Sequence, residues 1–127
     1  MILGTGVDLV EIARMEAILA RHGRRFAERI LTPGELAGFD CSRHQAAFLA
    51  RRFAAKEACA KAFGTGFRDG LSLRHIGVDH DALGRPLLAL TGEAAVRAAR
   101  LGVCASHLSI SDDRAYALAF VVLEGQL

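Results

Sequence analysis

The stretch that most constrains the fold of this chain is the alternation over residues 2–9. In an extended strand, Leu3, Val7 and Leu9 fall on one face, and Gly4, Gly6 and Asp8 on the other. The second face is bare except for one carboxylate. Such a face accepts a ligand or the close approach of another backbone. Asp8 itself has two readings. With Glu11 three residues on, it matches the N-cap of a following helix. Beside two glycines at a strand end, it also suits a ligand to a hard cation. A carboxylate has two oxygens, so both readings are compatible.

Further along, a helix is predicted from about residue 9 to 22, resuming to 30, with Ile12, Met15, Leu19 and Phe26 on one side. Thr32-Pro33-Gly34-Glu35 reads as a helix start: Thr32 caps, Pro33 takes the first helical position, and Glu35 completes a capping box. Residues 45–63 form the strongest helical stretch, ending at Gly64. Residues 73–79 and 86–90 read as strands joined by a turn holding Asp81 and Gly84. A short helix over 93–101 closes at Gly102. Residues 105–111 and 115–124 alternate as a hairpin across Asp112-Asp113-Arg114. There is no regular strand–helix–strand rhythm. The class is therefore α+β, a mainly antiparallel sheet packed with helices, with residues 1–127 as a single domain.

Composition narrows the function. Hydrophobic residues make up 52% of the chain, which excludes disorder, yet no apolar run approaches the ~20 residues that span a bilayer. No secretory signal pattern is present. Cys41, Cys59 and Cys104 form no CxxC pair, so neither a zinc knot nor a disulfide framework is expected, and a reducing cytoplasm is. A net charge of +2 argues against a dedicated nucleic-acid binder.

Four clusters bear on chemistry. Helical spacing puts Phe53, Glu57 and Lys61 on one face of an alanine-rich helix, followed at once by Gly64-Thr65-Gly66. Glu57 and Lys61 read either as an ordinary surface pair or as part of a site in which the glycine turn approaches a phosphate. The helix C-terminus alone would repel that phosphate, so a cation such as Lys61 or a bound metal is required nearby. On the strand over 105–111, His107, Ser109 and Ser111 share a face, as they would on any half-solvated strand. Arg14, Arg21 and Arg25, with Arg24 and Arg29 close by, outweigh Glu16 and Glu28. That imbalance fits either a solvated face or a docking surface for an acidic partner.

Together these segments resemble the holo-acyl-carrier-protein synthase family, the small bacterial 4′-phosphopantetheinyl transferases. The blocks that carry the resemblance are Gly6 to Arg14, Phe26 to Thr32 with Glu35-Leu36, Arg52 to Gly66, Gly84-Arg85-Pro86, and His107 to Ser111. The resemblance implies a 4′-phosphopantetheinyl transferase-like fold. It implies transfer of 4′-phosphopantetheine from coenzyme A to a serine of an acidic apo-acyl-carrier protein, in support of fatty-acid biosynthesis. It assigns Asp8 and Glu57 to Mg²⁺ together with the pyrophosphate; Lys61 would stabilise charge on the leaving phosphate, and Glu57, directly or through a metal-bound water, is the candidate general base. Gly64, Thr65 and Gly66 would shape the phosphate turn. Arg52, Arg85, Pro86, His107 and Ser109 would contact coenzyme A, chiefly its adenosine end. Arg14, Arg21, Arg24 and Arg25 would dock the carrier. It further implies a homotrimer with active sites between subunits. Many members carry a histidine where this chain has Asp112, so no histidine-based role transfers there, and Asp113 is expected to be a turn residue. The rival readings are a non-catalytic module that binds an acidic carrier and, last, a nucleic-acid-binding domain.

Overall fold

The computed structural model describes residues 1–127. The elements are β1 (Ile2–Glu11), α1 (Ile12–His22), α2 (Arg24–Ile30), α3 (Pro33–Cys41), α4 (Gln45–Ala62), β2 (Ile76–His80), β3 (Pro86–Leu90), α5 (Gly92–Leu101), β4 (Val103–Asp112) and β5 (Tyr116–Gly125). One antiparallel sheet has the order β1-β5-β4; β2 and β3 form a second antiparallel pair. This is the α+β architecture expected from the sequence.

Helix α4 fills the concave side of the three-stranded sheet. Its Leu49, Ala50, Ala54, Ala55, Ala58 and Cys59 are wholly buried, as are Ala117, Ala119, Val121 and Leu123 of β5. Small residues on both surfaces let helix and sheet approach closely. The glycine face of β1 completes that contact. A Cβ at Gly4 would fall on the Ala62 carbonyl oxygen, and one at Gly6 would meet both the Ala58 carbonyl oxygen and, at 2.8 Å, the Ala62 nitrogen. The bare face therefore receives a backbone, one of the two occupants its composition allowed. The apolar face of β1 is the open one: Val7 is 50% and Leu9 60% exposed.

The start of α1 differs from expectation. Asp8 is not a helix cap. The strand continues to Glu11, which precedes the helix without a side-chain cap bond. Pairing with β5 decides this: Asp8 lies opposite Ala119 and Glu11 opposite Tyr116, and the Ile12 N–H still donates to the Ala115 carbonyl at 2.8 Å. A local cap is outweighed by a ladder that satisfies every second backbone group. Likewise, residues 73–75 form a short 3₁₀ turn rather than strand, because the Ser72 hydroxyl and the His75 ring close a capping box around it. The helix over 9–30 is cut at Gly23, whose φ of 65° ends α1 and turns the chain into α2. Other local signals match the structure. Thr32 and Glu35 make both bonds of the capping box, Gly102 closes α5 at φ 81°, and the Asp112–Arg114 corner joins β4 to β5.

Candidate active site

Glycine packing of β1 on α4 brings the sheet edge to the last turns of the helix. Asp8 projects from the helix-facing side of β1, next after Gly6. Glu57 and Lys61 lie on the edge of α4 that faces it. Lys61 Nζ donates to Asp8 Oδ1 at 3.0 Å and to the Val7 carbonyl at 2.9 Å. Lys61 therefore pairs with Asp8, 53 residues away, and not with Glu57 one helical turn before it. Asp8 Oδ2 is left outside that pair.

Glu57 is half-buried, and its carboxyl is held above the ordinary carboxylate range. Burial is the main cause, the negative charge of Asp8 adds to it, and Lys61 only partly offsets both. The two carboxylates thus share one field with less positive charge than they need. Oxygen donors, clustered negative charge and an open side make a set that suits a hard divalent cation. No third Asp, Glu, His or Cys joins the cluster, so such an ion would draw its remaining ligands from substrate oxygens and water, the habit of Mg²⁺.

The turn after α4 borders this cluster. Gly64 and Gly66 have φ values of 83° and 65°, conformations that only glycine adopts cheaply. The Gly64 N–H donates to the Lys61 carbonyl and the Gly66 N–H to the Ala60 carbonyl, at 2.9 and 3.2 Å. These bonds cover two of the helix-end carbonyls whose charge would oppose an anion.

The remaining predicted residues lie elsewhere in the chain. Arg52 faces α3 and β2, on the far side of α4 from Glu57. Its guanidinium lies 4.4 Å above the Phe48 ring, and its Nε is buried without a hydrogen-bond partner, 3.6 Å from Glu35 Oε2. It lines a pocket of about 370 Å³ with Gly77, Asp79 and His80. Arg85 is exposed in the β2–β3 turn, paired with Asp81 at 3.3 Å, and Pro86 opens β3. His107 and Ser109 project from the open face of the sheet, opposite Val122 and Phe120, whereas Asp8 faces the helix. His107 Nε2 lies 3.0 Å from Glu124 Oε1. Within one chain the structure therefore unites Asp8, Glu57, Lys61 and the turn, but not Arg52, Arg85, Pro86, His107 or Ser109.

The arginine stripe is split by Gly23. Ile18, Arg21, His22, Arg25, Phe26 and Arg29 line a groove of about 580 Å³ between α1 and α2, with Arg14 exposed further along α1. Arg24 is committed elsewhere: Nε and Nη2 hold both oxygens of Asp40 at 2.9 and 2.8 Å. Asp112 pairs with Arg51 at 3.2 Å, and Asp113 Oδ1 accepts from the Ala115 and Tyr116 N–H groups, as a turn residue does. Burial pushes the Cys59 thiol up to about 12, which leaves it an inert core residue.

Two buried charges escaped the sequence reading. Lys56 is fully enclosed and donates to Glu35 Oε1, the Ile76 carbonyl and the Leu73 carbonyl. Arg97 of α5 grips the turn after α4. The i, i+4 spacing of Arg52 and Lys56 marked a second charged edge of α4; nothing local marked Arg97.

Comparison with known proteins places the fold in a family. Residues 4–121 match the sequence profile of the 4′-phosphopantetheinyl transferase superfamily. The chain is 56% identical over 124 residues to a holo-[acyl-carrier-protein] synthase of Hamiltonella defensa, covering 98% of each. Among solved structures, it superposes on the holo-[acyl-carrier-protein] synthase of Neisseria meningitidis with a TM-score of 0.92 at 44% identity, covering 98% of this chain and 99% of that one. It superposes on the Helicobacter pylori synthase in complex with coenzyme A with a TM-score of 0.82 at 32% identity, covering 94% and 99%. The fold and the sequence match over nearly the whole chain, and the chain belongs to the 4′-phosphopantetheinyl transferase superfamily.

Proposed function

We propose that this chain transfers 4′-phosphopantetheine from coenzyme A to a serine of an apo-acyl-carrier protein, releasing adenosine 3′,5′-bisphosphate. The observation that carries this reading is the convergence of Asp8, Glu57 and Lys61 beside the Gly64–Gly66 turn, in a chain that matches holo-[acyl-carrier-protein] synthases along nearly its whole length. Asp8 and Glu57 would hold Mg²⁺, which supplies charge neutralisation at the pyrophosphate. Glu57 takes the proton from the carrier serine. Its raised proton affinity suits it better to that task than an ordinary carboxylate. The serine oxygen bonds to the phosphorus that bears pantetheine as the bond from that phosphorus to the bisphosphate oxygen breaks. Lys61, half-exposed on a flexible stem, moves its ammonium to the departing phosphate. The N–H groups of the turn hold the substrate phosphates in line.

Residues 1–127 act as one transferase domain in a cytoplasmic homotrimer. Two features support assembly. The open sheet face carries Val7, Leu9, Tyr116, Leu118 and Phe120, an apolar surface that a second subunit would cover. His107 and Ser109 stand on that same face, so assembly would turn a neighbour's His107 and Ser109 toward coenzyme A, with Arg52, Arg85 and Pro86 as further contacts to it. Arg52 would offer its guanidinium to the adenosine end. Phe120→Glu should convert the trimer to monomer in sedimentation and abolish transfer. An active monomer would remove the shared-site reading.

No helix is long and apolar enough to cross a membrane. The carrier would dock on α1 and α2, its acidic helix laid on Arg14, Arg21 and Arg25, with Ile18 and Phe26 taking an apolar side chain. Arg24 contributes less because Asp40 holds it. Arg14→Ala and Arg21→Ala should each raise the carrier KM roughly three- to tenfold at low salt, leave the coenzyme A KM unchanged, and lose that difference as salt is added. Normal carrier binding at low salt would make the stripe a plain solvated face. The decisive assay for the whole proposal weighs apo-carrier after incubation with coenzyme A and Mg²⁺. The alternative, a non-catalytic carrier-binding module, predicts no mass increase.

A further inference from the structure

Arg97 belongs to α5 and to none of the motifs above, yet it is one of the buried charges of the chain. Its exposure is 8%, and its guanidinium is spent on the turn that follows α4. Nη1 donates to Thr65 Oγ1 at 2.6 Å and to the Gly66 carbonyl at 3.3 Å; Nη2 donates to the Arg68 carbonyl at 2.7 Å. Glu93 Oε1, 3.7 Å from Nη2 on the preceding turn of α5, holds the guanidinium in place. The Thr65 hydroxyl accepts from Arg97 and donates to the Gly66 carbonyl at 3.3 Å, so it has no donor left for a ligand.

The consequence is directional. A peptide whose carbonyl is drawn to one side presents the N–H of the next residue to the other. Arg97 draws the Gly66 carbonyl toward α5, which turns the Phe67 N–H away from it. The N–H groups of Thr65 and Phe67 are tied to no acceptor in the chain, whereas those of Gly64, Gly66 and Arg68 are. Two N–H groups without an acceptor, beside glycines at positive φ, are the donors of an anion-binding turn. The planar fork of an arginine spreads its donors along the loop in a fixed plane; the ammonium of a lysine gathers its three donors on one atom and does not reproduce that spread.

From this we infer that Arg97 is a positioning residue for phosphate binding: it fixes the Thr65–Arg68 backbone in the orientation that receives the coenzyme A phosphates, and Thr65 serves as its anchor and not as a ligand. The inference rests on the reading that the turn binds substrate phosphate. It adds that the turn owes its shape to a side chain 32 residues from Thr65 in sequence.

The test uses Arg97→Leu, which keeps the aliphatic packing, Arg97→Lys, which keeps the charge, and Thr65→Val. The wild type comes first: if it transfers nothing to apo-carrier, the functional reading fails before Arg97 is examined. With an active wild type, Arg97→Leu should raise the coenzyme A KM about tenfold while the carrier KM stays within about twofold. Arg97→Lys should recover part of that loss, and Thr65→Val should raise the coenzyme A KM a few-fold. In metal-free protein, coenzyme A binding measured by calorimetry should weaken in the same order, and amide resonances of Thr65 and Phe67 should shift on titration in the wild type and lose that response in Arg97→Leu. If Arg97→Leu does not fold, Arg97→Lys and Thr65→Val carry the same comparison. Unchanged coenzyme A binding in the folded variants, or equal losses toward coenzyme A and carrier, would reduce Arg97 to a structural residue and overturn the proposal.

Discussion

Asp8→Ala and Glu57→Ala are expected to lower turnover by about 10²–10³-fold each, because each removes a preorganised charge from the centre where phosphate charge redistributes. The double variant should be little worse than either single one, since the carboxylates act as a unit and neither holds a divalent cation well alone. Their effects on stability should differ from their effects on rate. Asp8→Ala breaks the pair with Lys61, whose side chain is 51% exposed, so solvent screening limits the loss to about 1 kcal/mol or less. Glu57→Gln should leave the melting temperature unchanged or raise it when measured at neutral pH without divalent cation. The sign follows from linkage. Burial and then Asp8 hold the Glu57 carboxyl above its ordinary 4.5, so between that value and its native one the folded chain binds the proton that the unfolded chain has released. Stability falls as pH rises through that window, and the penalty is fully present above it. A neutral glutamine removes the penalty, and the advantage should vanish in acid. An inactive but undestabilised Glu57→Gln would show a residue placed for chemistry at some cost to the fold. Wild-type rates with unchanged metal dependence in these variants would refute the site.

Residues whose partners are near in sequence were legible before the structure. Thr32 and Glu35 sit three apart, Asp113 turns a hairpin within four residues, and Gly102 ends its own helix. The glycine face of β1 was legible as a surface that something must approach, but not as the seat of α4, because that requires knowing which of several helices arrives. Asp8 shows the conflict most clearly. Its local pattern is a helix cap, and only pairing with β5, more than a hundred residues away, makes it a strand residue facing α4. Lys61 was read with Glu57 because they are one turn apart, whereas the tertiary contact gives it to Asp8. The scattered positions of Arg52, Arg85, Pro86, His107 and Ser109 are of another kind. On the proposed reading they complete a site between subunits, which neither the sequence nor a single chain displays as one constellation.

Lys56→Met should destabilise the chain by about 3–5 kcal/mol, through a route unrelated to catalysis. Lys56 has zero exposure, and each of its three ammonium protons is used, by Glu35 Oε1 at 2.7 Å, the Ile76 carbonyl at 2.6 Å and the Leu73 carbonyl at 3.1 Å. Glu35 in turn accepts from the Thr32 N–H at 2.8 Å and the Val78 N–H at 2.9 Å. One ion pair thereby joins the start of α3, the middle of α4, the 3₁₀ turn and β2. Burial lowers the proton affinity of Lys56 even though Glu35 opposes the shift, so desolvation of the ammonium exceeds its attraction to this one carboxylate. The pair is therefore no large source of net stability, yet breaking it is costly. Methionine leaves the Glu35 carboxylate buried beside two unmatched carbonyls, with its two N–H donors and Arg52, at 3.6 Å the one remaining cation, to compensate. Glu35→Leu should cost a similar amount by stranding the ammonium. Replacing both, as Lys56→Met with Glu35→Leu, should recover part of the combined loss, because both desolvation penalties vanish together. Denaturant midpoints of the four proteins measure this coupling. Additive losses, or a Lys56→Met variant within about 1 kcal/mol of wild type, would mean that α4 is held by its alanine packing alone. If the coupling is found, α4 is a helix with two charged edges of opposite purpose: Arg52 and Lys56 fix it to the scaffold, and that fixed axis holds Glu57 and Lys61 at the edge of β1.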